Sequence, residues 1–137
     1  MIEKAIVYLL SNDAGVNALV GSRIFPVFVP AKQPLPAITY QQISGPRDNI
    51  MSGASGLVST RFQINCWAKK YQGAAELADV VREALSPKDD GYPKTVAEVR
   101  VEAVMLFNEN DVPALYGDNE EMNGFGKMLD FNIWFQE

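Results

Sequence analysis

The sequence contains no histidine and one cysteine, Cys66. Without histidine, the chain lacks the residue that most often serves as a general base and as a metal ligand. One cysteine cannot form an intramolecular disulfide, and a nucleophilic thiol would need a base partner, most often a histidine. We therefore expect no catalytic residues, no metal site, no cofactor and no enzymatic activity. We predict that Cys66 is a small, buried hydrophobic side chain.

The sequence also lacks long apolar runs and a basic excess. No run approaches the roughly 20 residues that a membrane-spanning helix needs, so we expect no membrane partner. The N-terminus lacks a basic leader and a small-residue cleavage site, and it carries Glu3, so we expect a mature helix and synthesis in the cytoplasm. Twelve basic residues face 17 acidic ones, for a net charge of −5. Since phosphate binding needs a basic footprint, we expect no specific DNA binding.

The length and composition fit one folded unit. At 137 residues, with 47% apolar and 21% charged residues, the chain is ordinary for a globular domain. A chain of this size can bury roughly two-thirds of the surface that its unfolded form exposes. We therefore predict a single domain over residues 1–137.

Periodicity predicts both helices and strands. Residues 57–68 alternate in polarity, which indicates a strand, and residues 71–86 carry apolar side chains at spacings of three and four, which indicates a helix. A further helix is predicted over residues 2–10, and a short one follows, with Asn12 or Asp13 as its N-cap. The other predicted strands are 37–44, 96–108 and 125–135.

The order of the main elements predicts the fold class. Helix, strand, strand, helix, strand, strand (α-β-β-α-β-β) is typical of an α+β fold with a four-stranded antiparallel sheet and helices packed on one face. Residues 23–36 contain four prolines, so we expect an extended connector without regular structure. Alternation on the third strand predicts that Val99, Val101, Ala103, Met105 and Phe107 point inward.

The sheet face away from the helices is predicted to expose apolar side chains. Trp67 and Trp134 fall in outward register on the second and fourth strands, Val104 and Leu106 share that parity on the third, and Met128 lies nearby. Isolated exposed apolar residues are common in folded proteins. Together, however, these residues would form a patch large enough for an interface. We take Trp67, Trp134 and Met128 as interface candidates.

Two loops stand out. Residues 45–56 are long for a hairpin connection, which favours a functional tip. We expect its residues Arg47, Asp48, Asn49, Ile50 and Met51 to dock onto a partner. Residues 109–124 form an acidic insertion that includes Asp111, Asp118, Glu120 and Glu121. It is either a solvated acidic loop or a weak divalent-ion site, although it lacks the regular acidic spacing of a calcium loop.

Three segments in fixed order carry a family resemblance. Residues 16–26 pass from a short helix into Arg-Ile-Phe-Pro, residues 34–44 form the next strand, and residues 61–85 hold the strand–helix unit. Over about residues 1–86, the chain resembles the tail completion proteins of tailed phages and prophages. These are also described as tail-to-head joining proteins, and they are similar in fold to the lambda tail terminator.

The resemblance implies a structural role in the virion, at the head-proximal end of the tail. A protein of this kind caps the completed tail tube and forms part of the head–tail joining interface. It is expected to form a homo-oligomer, a hexameric ring on the tail, with a tail tube protein and a head connector protein as partners. DNA would pass through the ring without specific binding, which the net negative charge favours.

The residues alone also allow a different class of protein. This alternative is a ferredoxin-like module that binds a small ligand or RNA. It would need a basic or pocketed sheet face, which the charge balance disfavours. Ring size, tail type, the face that meets the head and the role of residues 109–124 are left open at this point.

Overall fold

A computed structural model describes residues 2–30, 32–44, 57–86, 91–112 and 124–136. The elements in chain order are α1 (Ile2–Ser11), α2 (Ala14–Val20), β1 (Ile24–Pro26), β2 (Ala37–Ser44), β3 (Leu57–Ala68), α3 (Tyr71–Leu85), β4 (Lys94–Val96), β5 (Val99–Val112) and β6 (Phe125–Gln136). Within those ranges no helix has the length and apolar character needed to cross a membrane.

The six strands form one curled, mixed sheet in the order β1-β2-β3-β6-β5-β4. β1 is parallel to β2, and the other pairs are antiparallel. The prediction of a four-stranded antiparallel sheet in α-β-β-α-β-β order is therefore wrong. The two strands that it missed, β1 and β4, lie at the sheet edges and have three residues each. Three residues are too few to show an alternating pattern.

β1 ends in a strained turn. The N–H of Phe28 donates to the Pro26 carbonyl at 2.7 Å, and Val27 between them has a φ of 68°. This is a γ-turn with a β-branched residue in the left-handed region, an uncommon and costly combination. At the start of the strand, the N–H of Ile24 donates to the Ser22 carbonyl at 2.9 Å. Backbone N–H groups at both ends of this edge strand are therefore used in hydrogen bonds to residues two positions earlier in the chain.

The inward face predicted for β5 is correct only at its start. Register shifts occur between Val101 and Ala103 and again between Leu106 and Asn108. Because a bulge adds one residue, it reverses which side chains face the core. Met105 and Phe107 are consequently 52% and 44% exposed. Val104 and Leu106, which were predicted to point outward, pack against the core instead.

β5 also runs beyond its predicted end. It continues to Val112, so the first part of the predicted acidic insertion is strand. The rest of that insertion, including Asp118, Glu120 and Glu121, lies outside the described residues.

The main core lies between one sheet face and the three helices, as expected for helices packed on one face. Its largest fully buried side chains are Phe62, Phe131, Ile6, Leu10, Ile38, Ile64, Leu77, Leu85, Leu129 and Ile133. Asp13 caps α2 by accepting the Val16 N–H at 3.0 Å, which confirms one of the two predicted caps. Cys66 is fully buried, as predicted, and burial, together with Glu109, raises the pKa of its thiol.

Tyr92 ties the segment after α3 to the end of that helix. Its hydroxyl donates to the Leu85 carbonyl at 2.6 Å, and burial raises its pKa from 10.0 to about 12. Since the folded-state pKa lies above the unfolded value, this stabilisation is complete below about pH 10 and is lost as the pH rises through about 12.

We expect Tyr92→Phe to lower the free energy of unfolding by about 1 kcal/mol at pH 8, because the hydrogen bond is lost. The difference from the wild type should shrink above about pH 10, since only the wild type must bury or protonate a phenolate. Urea denaturation of both proteins at several pH values measures this difference. A difference that stays constant between pH 8 and 12 would contradict the assignment.

Candidate interaction surface on the outer sheet face

None of the helices that the structure describes packs on one face of the sheet, and we call this face the outer face. Strand alternation places on it Ser59, Arg61, Gln63, Asn65 and Trp67 of β3, and Gly126, Met128, Asp130, Asn132, Trp134 and Gln136 of β6. The helices and the main core occupy the opposite face. The outer face is therefore where this chain has sheet surface to offer to another molecule.

Trp67 lies on the outer face but is covered. It is 4% exposed and forms a second, small core with Val29 and Ala37, onto which Phe25, Leu35 and Val112 pack. Its Nε1–H donates to the Thr39 hydroxyl at 3.0 Å. Gly126 lies opposite, and a Cβ there would come within 2.7 Å of the indole ring. In this structure the Trp67 ring packs inside the chain. Its role as an interface residue stays a prediction.

Arg23 fastens the connector that covers Trp67. Its Nε donates to the Pro36 carbonyl at 2.8 Å and its Nη2 to the Leu19 carbonyl at 3.2 Å. The Arg23 carbonyl also accepts the Ile38 N–H at 2.9 Å. Arg23 thus joins the end of α2, the connector and β2. In the sequence it stood out only as part of the Arg-Ile-Phe-Pro segment, without an assigned role.

An exposed apolar patch lies further along the same face. We define it as Ala103, Met105, Phe107 and Trp134. Ala103 pairs across the sheet with Trp134, which is half-buried, while the other three residues are exposed. The Arg61 guanidinium lies 4.8 Å from the centre of the Phe107 ring, at cation–π distance. Sequence reasoning found Trp134 but missed Met105 and Phe107, because neither bulge has a signature in the residues.

A row of polar side chains crosses the outer face beside this patch. Gln63 Nε2 and Asn108 Nδ2 donate to the two carboxylate oxygens of Asp130, each at 3.4 Å. Asn65 Nδ2 donates to Gln63 Oε1, also at 3.4 Å. Asp130 is only 4% exposed, although none of the described helices covers its strand on this side. We call these four residues the polar row; sequence reasoning did not single out any of them.

The remaining predicted site residues are less well placed. Met128 is half-buried and lies on β6 between Asn65 of β3 and Asn110 of β5. The loop residues Arg47, Asp48, Asn49, Ile50 and Met51 lie outside the described residues, so their docking role stays a prediction.

Asp111, from the acidic insertion, is engaged in an ion pair. Its Oδ1 lies 2.7 Å from Lys127 Nζ, and the Tyr71 hydroxyl donates to its Oδ2 at 3.2 Å. Hydrogen bonding to Lys127 holds the pKa of Asp111 below its usual value. Among the described residues, no cluster of three or more histidine, cysteine, aspartate or glutamate side chains could hold a metal ion.

A second exposed apolar element lies at the sheet edge. Val27 and Phe28, in the strained turn after β1, are 61% and 64% exposed. The backbone of the turn is held by a hydrogen bond from the Val27 N–H to the Tyr40 carbonyl at 2.9 Å, and Val29, the next residue, is buried. The turn therefore presents two adjacent apolar side chains from an anchored backbone.

Comparison with known families decides the broader identity. A family model described as "Tail completion protein gp17" matches residues 4–112. The chain belongs to this family. The match confirms the resemblance drawn from the sequence and makes the chain a structural protein of phage tails, with a virion location. No curated protein matches the sequence.

The fold of this family member is also found in a solved particle. One similar chain comes from a structure titled "Virion of native gene transfer agent (GTA) particle", with a TM-score of 0.73 and 15% sequence identity. The alignment covers 97% of this chain and 92% of the other. At this identity the likeness establishes the shared fold and says nothing further about residue roles.

Proposed function

We propose that this chain caps the completed tail tube and forms part of the head–tail joining interface, as a homo-oligomeric, hexameric ring that contacts a tail tube protein and a head connector protein. The observation that carries this proposal is the exposed apolar patch on the helix-free sheet face of a tail completion family member. Single exposed apolar residues are unremarkable, but a cluster that includes a tryptophan is typical of an interface.

A ring needs two different contact surfaces on each subunit, because its neighbours meet head to tail. The Val27–Phe28 turn at the sheet edge supplies one candidate surface for such a contact. The apolar patch on the outer face is instead a candidate contact with the tube or connector protein. Met128 and the loop residues Arg47 to Met51 remain proposed contacts with the tube or connector.

The charge of the chain is compatible with a conduit for DNA. A ring of subunits that each carry a net charge of −5 would repel the phosphate backbone and discourage adhesion. The RNA-binding alternative has less support, because the centre of the outer face is a carboxylate, Asp130, and not a basic stripe. The proposed work is contact with other proteins, and we assign no reaction to the chain.

Deletion of the gene from its phage or prophage genome tests the proposal. Electron microscopy should then show full heads beside unattached or overlong tails, and the wild-type gene supplied in trans should restore joined particles. Normal numbers of joined particles without the gene would refute the proposed function.

Single substitutions locate the contact surface. Trp134→Ala should reduce joined particles by about tenfold or more, because interface tryptophans often contribute 2 kcal/mol or more to binding. Tyr8→Ala, which removes an exposed aromatic ring from α1 on the opposite side, is the matched control. Supplied in trans to the deletion, it should give as many joined particles as the wild-type gene. Equal losses in both variants would show that the outer face has no special role.

A further inference from the structure

Asp130 is a buried carboxylate on the outer face. Within the part of the chain that the structure describes, it makes no ion pair. Its two oxygens each receive one carboxamide N–H, from Gln63 and Asn108, at 3.4 Å. These distances lie beyond the usual 2.7–3.2 Å range for N–H···O hydrogen bonds, so each bond is weak.

Two described cations of β3 and β6 are engaged elsewhere. Arg61, on the same face, lies over the Phe107 ring. Lys127 points to the opposite face, where it pairs with Asp111. Burying a carboxylate without a charged partner costs free energy, and an asparagine would suit a row of carboxamides better. A residue that breaks a local rule in this way is often kept for binding.

We propose that the outer face binds an arginine- or lysine-bearing segment of another virion protein, whose cationic side chain pairs with Asp130. This inference rests on the proposed function, because it names the chemistry of the partner at the same surface. A guanidinium matches both carboxylate oxygens and replaces two weak neutral bonds with charge-assisted ones. Gln63 and Asn108 hold the carboxylate in place for this contact.

Charge favours a partner other than a second copy. Two chains of net charge −5 repel each other, whereas a basic segment is attracted to the acidic chain as a whole. The apolar patch lies beside Asp130: Met105 pairs with Asn132, two residues along β6, and Phe107 precedes Asn108. The methylene stem of an arginine or lysine, and its apolar neighbours, would pack on this patch.

A short peptide probe tests the site on the full chain. Acetyl-Gly-Arg-Gly-amide is titrated into isotope-labelled protein, and backbone amide shifts are followed by NMR. The inference expects saturable shifts that centre on β3, β5 and β6 around Asp130. Asp130→Asn should weaken this binding about tenfold or more. Glu76→Gln, which removes one charge from the exposed side of α3, is the matched control and should bind as the wild type does.

The outcomes separate clearly. Loss of the localised shifts in Asp130→Asn alone supports the cation site. Equal binding by the wild type and Asp130→Asn, or shifts that centre on acidic residues of the helices, overturns it. The same titration with a peptide in which glutamine replaces the arginine should give no localised shifts. If it gives the same shifts, the face does not select a cation.

The melting temperature Tm of Asp130→Asn provides a second test, because a binding role and a purely structural role of Asp130 predict opposite changes. Asp130→Asn should leave Tm unchanged or raise it, since it removes a buried charge while keeping the shape. A fall of several degrees would show that Asp130 holds the fold together, and the inference would fail.

The particle assay keeps this inference distinct from the proposed function. If Asp130→Asn binds the peptide normally while Trp134→Ala still blocks joining, only the cation site is wrong. If deletion of the gene leaves joining intact, the proposed function is wrong whatever the peptide shows.

Discussion

Trp67→Ala is expected to lower the free energy of unfolding by about 3–5 kcal/mol, the range for truncating a large buried aromatic side chain. The ring fills the small core formed with Val29 and Ala37, and its loss would leave a cavity beneath the connector. Since domains are stable by only about 5–15 kcal/mol, this loss would be a large fraction of the total stability. Urea denaturation followed by circular dichroism measures the change.

Trp134→Ala is the matched control, because it removes the same side chain from the same sheet face. Trp134 is half-buried and lies beside exposed residues, so we expect a loss of about 1 kcal/mol or less. If the two variants lose equal stability, the distinction between the small core and the apolar patch is wrong. If Trp67→Ala costs less than Trp134→Ala, the connector does not cover Trp67 in solution.

Arg23→Ala is expected to cost about 2–3 kcal/mol. The substitution removes two charge-assisted hydrogen bonds to the Pro36 and Leu19 carbonyls, each of which contributes up to about 1.5–3 kcal/mol when well buried. Arg23 is only half-buried, so solvent reduces this sum. The connector should also loosen, and Trp67 should become accessible to a fluorescence quencher such as acrylamide.

Two variants make this result specific to the geometry of Arg23. Arg23→Lys keeps the charge but cannot reach both carbonyls with a planar fork, so we expect it to recover less than half of the loss. Arg61→Ala removes an exposed arginine that stacks on Phe107 and should cost about 1 kcal/mol or less. Full rescue by Arg23→Lys would mean that charge, and not the two-carbonyl contact, stabilises the connector.

Long elements with clear periodicity could be predicted from the sequence, and short or irregular ones could not. The alternation over residues 57–68 gave β3 with its observed bounds, and the spacing over residues 71–86 gave α3 to within one residue. β1 and β4 were missed because three residues carry no period. β1 follows the N-cap, helix and glycine of α2, in a stretch where prolines argued against regular structure.

The candidate site was only partly predictable for related reasons. Parity along β6 correctly set Trp134 away from the helices, because that strand has no register shift relative to β3. On β5, register shifts place Met105 and Phe107 on the outer face. No residue type in this segment predicts a bulge. The burial of Trp67 depends on a connector that returns across the sheet, which is a tertiary event that local pattern cannot show.

Asp130 escaped notice for another reason. In the sequence it is one acidic residue in an alternating strand, where an outward-facing aspartate is ordinary. Its unusual state arises only when Gln63 and Asn108, far apart in the chain, are brought to either side of it. Family resemblance, by contrast, needed no such detail, since the ordered segments in the first two-thirds of the chain already carried it.

The way β1 ends has a consequence for how copies of this chain meet. The N–H of Ile24 donates to the Ser22 carbonyl, and the N–H of Phe28 donates to the Pro26 carbonyl. Pro26 itself has no N–H. A strand from another molecule would find almost no free N–H donors along the β1 edge, so this edge resists strand addition and the aggregation that follows from it. Contacts that another molecule makes at this edge must therefore rely on side chains such as Val27 and Phe28.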